Sequence, residues 1–138
     1  MIVLDTNVLV SGLLNPVGPP GQLVRLVTGS RERLAFDQRV IQEYREVLAR
    51  PHLGITGDEI ESVIEAIEQD GESVVARPLA VKLPDPDDLP FVEVAASAGA
   101  AALVTGNLRH FPRSALGRLG VTIVSPAAWL SHIAREER

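Results

Sequence analysis

The stretch Met1-Ile2-Val3-Leu4-Asp5-Thr6-Asn7 decides how this chain folds, because an apolar run stops abruptly on a carboxylate and two small polar residues. A short apolar run bounded in this way predicts a buried strand that delivers Asp5 to one edge of a sheet. The carboxyl ends of parallel strands are where α/β folds bind their ligands. Asp5 is therefore the first candidate site residue.

Beyond this stretch, strand patterns alternate with helical patterns, which predicts an α/β fold. We expect a three-layer α/β/α sandwich with a mostly parallel five-stranded sheet, formed as a single domain by residues 1–138. The predicted strands are 3–4, 33–36, 73–76, 102–105 and 121–124. The first two predicted helices cover residues 8–14 and, more briefly, residues around 23–27. The third begins at the cap Asp37 and ends near 50–51, and the fourth begins at the cap Thr56 or Asp58 and ends at Gly71. The fifth covers 89–98 with Gly99 as its cap, and the last begins at Ser125-Pro126.

The composition limits the class of protein. With 138 residues, of which 46% are hydrophobic and 22% charged, the chain fits an ordinary globular domain. It has no cysteine, which excludes disulfides, thiolate nucleophiles and cysteine zinc sites. The three histidines, His52, His110 and His132, lack metal-ligand spacing and are assigned to the surface. No apolar run approaches the roughly 20 residues that span a bilayer, and no leader pattern is visible, so we expect a cytoplasmic protein without membrane contact.

The net charge of −5 argues against a protein that coats nucleic acid non-specifically, because such a protein would carry a basic face or tail. The negative charge is compatible with a metal-dependent nuclease, since the carboxylates that hold a divalent cation lower the net charge of the chain. Apart from Lys82, the basic residues are arginines, which are suited to bidentate contact with phosphate.

Four polar positions fall at strand ends or helix starts that should share one edge of the sheet: Asp5, Glu43, Asp88 and Asn107. Three carboxylates held together in a protein repel one another and are costly to desolvate unless a cation compensates them. Oxygen ligands from Asp and Glu suit Mg²⁺ or Mn²⁺, and such sites typically serve phosphodiester chemistry.

Each of these residues also has a structural explanation. Asp5 is equally well explained as the N-cap of the first helix, and Asp87 or Asp88 as the N-cap of the helix that begins at Leu89. Glu43 is harder to explain in this way, because it flanks the apolar stripe of its helix, where a half-buried acid needs a partner. We assign Asp85 to a loop, with a contact through water as an alternative, and Glu93 to the solvated face of its helix.

Four segments together resemble the PIN-domain family, in particular the VapC-like ribonuclease toxins of type II toxin–antitoxin systems. They are Val3-Leu4-Asp5-Thr6-Asn7, Gln42 to Leu48 followed by Arg50-Pro51, Asp85-Pro86-Asp87-Asp88 with Phe91, and Val104-Thr105-Gly106-Asn107 with Phe111. Each segment is a weak signal alone, but the four in order cover essentially the whole chain.

The resemblance implies a Mg²⁺- or Mn²⁺-dependent endoribonuclease that hydrolyses RNA with a metal-activated water. Asp5, Glu43, Asp88 and Asn107 would be the metal ligands. Thr6 and Thr105 would be supporting hydroxyls. Arg109 and Asp85 are candidate substrate contacts, and a solvent-facing side chain is an equal alternative for Arg109. Asn107 departs from the family, because many PIN domains carry a fourth aspartate there. An amide oxygen can still complete the shell of one metal but should weaken a second, so Asn107→Asp is predicted to tighten Mn²⁺ binding.

The resemblance also implies partners. By its resemblance to these toxins, the chain is expected to form a homodimer that a small antitoxin protein inhibits. Operator DNA would be bound only through that antitoxin. A receiver domain would need an acidic pair after the first strand and a late lysine, and a haloacid-dehalogenase-like phosphatase would need an aspartate at position 7; the chain has neither. The remaining alternative is a PIN-like module that binds RNA or protein with weak or no catalysis.

Overall fold

The computed structural model describes residues 1–137 and shows an α/β sandwich around parallel strands. The strands are β1 Val3–Leu4, β2 Ala35–Phe36, β3 Glu72–Ser73, β4 Leu103–Val104 and β5 Ile123–Val124. The α-helices are α1 Thr6–Leu14, α2 Pro19–Thr28, α3 Gln38–Leu48, α4 Gly57–Asp70, α5 Leu89–Ala98, α6 Arg113–Gly117 and α7 Pro126–Glu136. Single 3₁₀ turns cover Pro51–Leu53, Pro86–Asp88 and Leu108–His110.

The strands form two parallel sheets that meet at one point. One sheet has the order β1-β4-β5 and the other pairs β2 with β3. A parallel bridge between Ile2 and Leu34 joins them, with Ile2 N–H donating to the Arg33 carbonyl at 3.0 Å and Ala35 N–H donating to the Ile2 carbonyl at 2.9 Å. The predicted five-stranded sheet is thus corrected to a three-stranded and a two-stranded sheet joined at this bridge, which we call the seam.

Regular strand pairing is shorter than the sequence pattern predicts. Each strand after β1 has two residues, where four were expected. The third strand lies at 72–73 instead of 73–76, and Val75 is 97% exposed. Because β3 is an edge strand with both of its residues exposed, no alternation of buried side chains marks its limits in the sequence.

The helix ends largely follow the predicted caps. The Asp37 side chain accepts from Val40 N–H at 3.0 Å, Thr56 and not Asp58 accepts from Glu59 N–H, and Gly99 closes α5 with a φ of 62°. A positive φ of this kind requires little conformational free energy from glycine, which has no Cβ, and more from other residues. The first helix begins at Thr6, two residues earlier than expected. The sequence pattern did not predict α6 or the three 3₁₀ turns, which are too short to show a helical period.

Helix α5 packs against β1, β2 and β4. An extended segment, residues 74–84, lies against α5, and we call it the strap. The strap is held by side chains of α5: Ser97 Oγ accepts from Arg77 N–H at 2.9 Å, and Glu93 Oε2 accepts from Leu79 N–H at 2.8 Å. The expectation that Glu93 is a solvated helix charge is therefore wrong. The strap covers this face of α5, so Glu93 is only 5% exposed, and its other oxygen accepts from Arg39 at 2.8 Å.

The hydrophobic core continues across the seam. Tyr44 is fully buried on α3, its ring lies 6.3 Å from that of Phe91, and its hydroxyl donates to the Leu4 carbonyl. This contact connects the helix after β2 with the end of β1. Within residues 1–137, no helix combines the length and apolar character that a membrane crossing requires.

Candidate active site

Asp5 lies at the carboxyl end of β1, where the first stretch of sequence predicted it. Its N–H continues the ladder to the Val104 carbonyl at 2.9 Å, and its Oδ2 accepts from the Thr105 hydroxyl at 2.7 Å. The side chain makes no capping bond to α1, so a simple N-cap does not explain it. Burial raises the pKa of Asp5, because an ionised carboxylate is poorly solvated there, while the bond from Thr105 acts in the opposite direction.

Glu43 reaches the same place from the other side of the seam. It sits on α3, which follows β2, and its Oε2 accepts from the Thr6 hydroxyl at the start of α1. Partial burial and the negative charges of Asp5, Asp87 and Asp85 raise the pKa of Glu43. Glu43 therefore has the partner that a half-buried acid requires, and this partner is one of the two predicted supporting hydroxyls.

The third group of residues comes from the turn before α5 and the turn after β4. Among the described residues, Asp85, Asp88 and His110 are a group whose potential ligand atoms all lie within 4.8 Å of one another. His110 Nδ1 is 3.1 Å from Asp88 Oδ2. Burial, with the charges of Asp5 and Asp85, raises the pKa of Asp88 to about 6, and His110 partly offsets this effect. The Asp88 side chain makes no capping bond to α5, so the N-cap explanation fails here too.

These side chains surround one open cavity of about 380 Å³. Val10, Val47 and Leu53 supply apolar parts of its wall. Its polar lining consists of Asp5, Thr6, Asn7, Ser11, Glu43, Arg50, His52, Asp85, Asp88 and His110. The structure thus brings together the three predicted acidic ligands, one of the supporting hydroxyls, and Asp85.

The other predicted site residues lie behind or beside the cavity. Thr105 is fully buried and acts through its bond to Asp5. Asn107 is half-buried, its N–H donates to Thr105 Oγ1 at 3.0 Å, and it does not line the cavity. Arg109 is exposed on the turn Leu108–His110 and does not line the cavity either. The metal-ligand role of Asn107 and the substrate role of Arg109 stay predictions.

The expectation that His52 and His110 lie at the surface and Asp85 in a loop is confirmed, since His52 is exposed, the His110 side chain is 40% exposed and Asp85 lies in a turn; all three also line the cavity. Asp85 does form a local turn, accepting from Asp87 N–H at 3.0 Å, and it still faces Asp88. No local pattern in the sequence placed His110 in the cavity, because the 3₁₀ turn Leu108–His110 is too short to show a period. Arg50 lies seven residues after Glu43, just beyond the end of α3, and belongs to the sequence motifs only through the Arg50-Pro51 pair.

The chemistry of the donors indicates a cation site. The cavity has four carboxylates, from Asp5, Glu43, Asp85 and Asp88, and three of them have a raised pKa. Their mutual repulsion would be relieved by a divalent cation, and hard oxygen ligands fit Mg²⁺ or Mn²⁺. The imidazole of His110 is also compatible with Mn²⁺.

Residues 1–109 match a family model whose description is PIN domain. The matched range contains β1, α3, the turn before α5 and β4, and therefore every acid of the cavity. The chain has no significant match among the curated proteins or among the solved structures.

Proposed function

Because this chain belongs to the PIN-domain family, a nuclease-type fold whose members are typically metal-dependent, we propose that it is a Mg²⁺- or Mn²⁺-dependent endoribonuclease. The observation that carries the proposal is the convergence of Asp5, Glu43, Asp85 and Asp88 on one cavity from separate parts of the chain. A cluster of acids with raised pKa values would destabilise the folded protein without a compensating cation.

The residues present fit a divalent cation. Asp5 and Asp88 are the most buried of the four acids, and Glu43 and Asp85 supply further oxygens beside them. When bound there, Mg²⁺ or Mn²⁺ would activate water for phosphodiester hydrolysis and stabilise the charge that develops on the phosphate. We propose Asn107 as an additional neutral oxygen ligand, on the strength of the motif Val104-Thr105-Gly106-Asn107.

Three neighbours would keep the acids in position. Thr105 donates to Asp5, Thr6 donates to Glu43, and His110 lies within hydrogen-bonding distance of Asp88. Each contact occupies one carboxylate oxygen and leaves the other for a cation or a water molecule. Partners of this kind orient ligands, and their loss typically weakens metal binding without removing a ligand.

The biological role that we propose is that of the toxin of a toxin–antitoxin pair, acting on RNA in the cytoplasm. The support is the resemblance of the four motif segments to VapC-like toxins. A cognate antitoxin protein would inhibit the enzyme, a homodimer would be its working state, and operator DNA would be reached only through the antitoxin. Growth arrest on expression of the wild type, absent for Asp5→Asn and relieved by a neighbouring antitoxin gene, is the expected result.

The direct test is cleavage of defined RNAs by the purified protein in Mg²⁺, in Mn²⁺ and in EDTA. We expect cleavage with either metal, none in EDTA, and none for an Asp5→Asn/Asp88→Asn double variant. Glu65→Gln is the matched control, because Glu65 is an exposed acid on α4 and does not line the cavity. Absence of cleavage across a broad panel of RNAs, together with absence of metal binding by calorimetry, would refute the proposal.

A second candidate is a PIN-like module that binds RNA or protein with weak or no catalysis. The observation that favours it is Asn107, which stands where many PIN domains carry a fourth acid. RNA binding without cleavage by the wild type, in any of the metals, would support this candidate.

A further inference from the structure

The acidic cavity continues into a second groove. The second groove has a volume of about 440 Å³ and shares Glu43, Val47 and Arg50 with the first. Glu43 and Val47 are four positions apart on one face of α3, and Arg50 lies just beyond the end of the helix. Asp87 and Pro90 form part of the far wall. A linear ligand could therefore leave the cavity between α3 and the start of α5.

The charge of the cavity creates a problem for an RNA substrate. Four carboxylates line it, and a single divalent cation neutralises the charge of only two. The phosphates next to the scissile one would therefore approach a surface that still carries net negative charge. A positively charged side chain at such a place would favour the binding of a polyanion.

Two arginines line the second groove, and they differ in what already surrounds them. Arg39 lies 2.7 Å from Asp37 and 2.8 Å from Glu93, so its charge is already compensated. Arg50 is exposed and takes part in none of the ion pairs found among residues 1–137. It is also the arginine that lines both cavities.

The backbone keeps Arg50 at this junction. Pro51 cannot continue α3 and restricts the residue before it to an extended conformation. Arg50 accordingly has φ −61° and ψ 125°, and the 3₁₀ turn Pro51–Leu53 begins directly after it. Arg50 thus lies just beyond the end of α3, in the wall that the acidic cavity shares with the second groove.

We propose that Arg50 binds the backbone phosphate next to the scissile phosphate in single-stranded RNA, and so directs the strand along the second groove. This inference rests on the proposed nuclease function and names a substrate-positioning residue for it. The planar guanidinium can make two hydrogen bonds to one phosphate, which the ammonium of lysine cannot reproduce.

The test measures binding of a single-stranded RNA oligonucleotide by fluorescence anisotropy, with Ca²⁺ in place of Mg²⁺ to limit cleavage. We expect Arg50→Ala to weaken binding about tenfold, the low end for hydrogen bonds to charged groups. The slope of log K against log salt should fall by about 0.7, the contribution of one phosphate contact on a single strand. Arg50→Lys should recover only part of the loss.

The control is Arg118→Ala, since Arg118 is another exposed arginine that lies outside both cavities and takes part in none of the ion pairs of residues 1–137. It should leave binding unchanged. Thermal unfolding of each variant checks that the fold is retained, which we expect because both side chains are exposed.

Oligonucleotides with one neutral methylphosphonate linkage identify the phosphate. For the wild type, a neutral linkage beside the scissile position should weaken binding about as much as Arg50→Ala does, and the two changes together should cost no more than one alone. If Arg50→Ala and a neutral linkage weaken RNA binding additively at every position, Arg50 does not contact one particular phosphate and its proposed role is wrong. The same conclusion follows if Arg50→Ala binds RNA as tightly as an active wild type. Either result would leave the proposed nuclease function standing. A wild type that neither binds nor cleaves RNA would overturn both proposals.

Discussion

Replacing Asp88 by asparagine should stabilise the metal-free protein at neutral pH. The pKa of Asp88 rises from 3.8 to about 6 in the folded chain, because the carboxylate is partly desolvated and faces Asp5 and Asp85. A carboxyl group with a raised folded pKa contributes stability below its unfolded pKa and loses it as the pH rises through the folded value. At pH 7.5 the ionised side chain therefore opposes folding.

The size of the effect follows from the shift. Two pKa units correspond to about 3 kcal/mol at about 1.4 kcal/mol each. The side chain retains 12% exposure and a contact with His110, so screening should reduce this to about 1–2 kcal/mol. The midpoint of thermal unfolding should then rise by about 3–8 °C for a chain of this size.

The assay is thermal unfolding in EDTA at pH 7.5 and at pH 4.5. The gain of Asp88→Asn over the wild type should be clear at the higher pH and small at the lower one. Asp87→Asn, the exposed neighbour, serves as the control and should change little. Addition of Mn²⁺ should stabilise the wild type more than the variant, because ligand that binds only the folded state adds to its stability. An Asp88→Asn protein no more stable than the wild type in EDTA at pH 7.5 would refute this reasoning.

Three further changes test the parts of the site separately. Asn107→Asp should tighten Mn²⁺ binding in titration calorimetry, and an unchanged affinity would remove residue 107 from the metal shell. Thr105→Val keeps the shape of the side chain but removes the hydroxyl bonded to Asp5, so metal affinity should fall by about 1–2 kcal/mol with the fold intact; calorimetry beside a thermal scan would expose the opposite outcome. Glu93→Gln leaves Arg39 and the strap with weaker partners and should lower the free energy of unfolding by about 1–2 kcal/mol in urea titrations, whereas Glu65→Gln should not.

The sequence predicted those parts of the fold and site that depend on local patterns. Each correct prediction depended on residues that are close together in the sequence. The examples are the apolar run before Asp5, the cap at Asp37 and the position of Glu43 beside an apolar stripe. The limits of β3 could not be read in this way, because its residues are exposed and pair with β2 through the backbone alone. Pairing between distant segments leaves little trace in a single sequence.

The contacts of Glu93 and His110 could not be predicted, because both are made with distant parts of the chain. Glu93 looks like a helix-face charge until the strap covers that face of α5. His110 looks like a surface histidine until a 3₁₀ turn brings it to Asp88, 22 positions earlier in the chain. A polar side chain has the same local pattern whether it meets water or another part of the protein, so these contacts appear only in three dimensions.

The seam makes the spacing of the acids in the cavity depend on the interior of the protein. Asp5 belongs to one sheet and Glu43 follows the other, and the backbones of the two sheets meet at a parallel bridge. The separation of these two acids is therefore set by side chains that cross the seam, such as the Tyr44 hydroxyl on the Leu4 carbonyl. A buried residue outside the cavity thus helps to set the spacing of the acids, so we expect substitutions in this part of the core to change metal binding as well as stability.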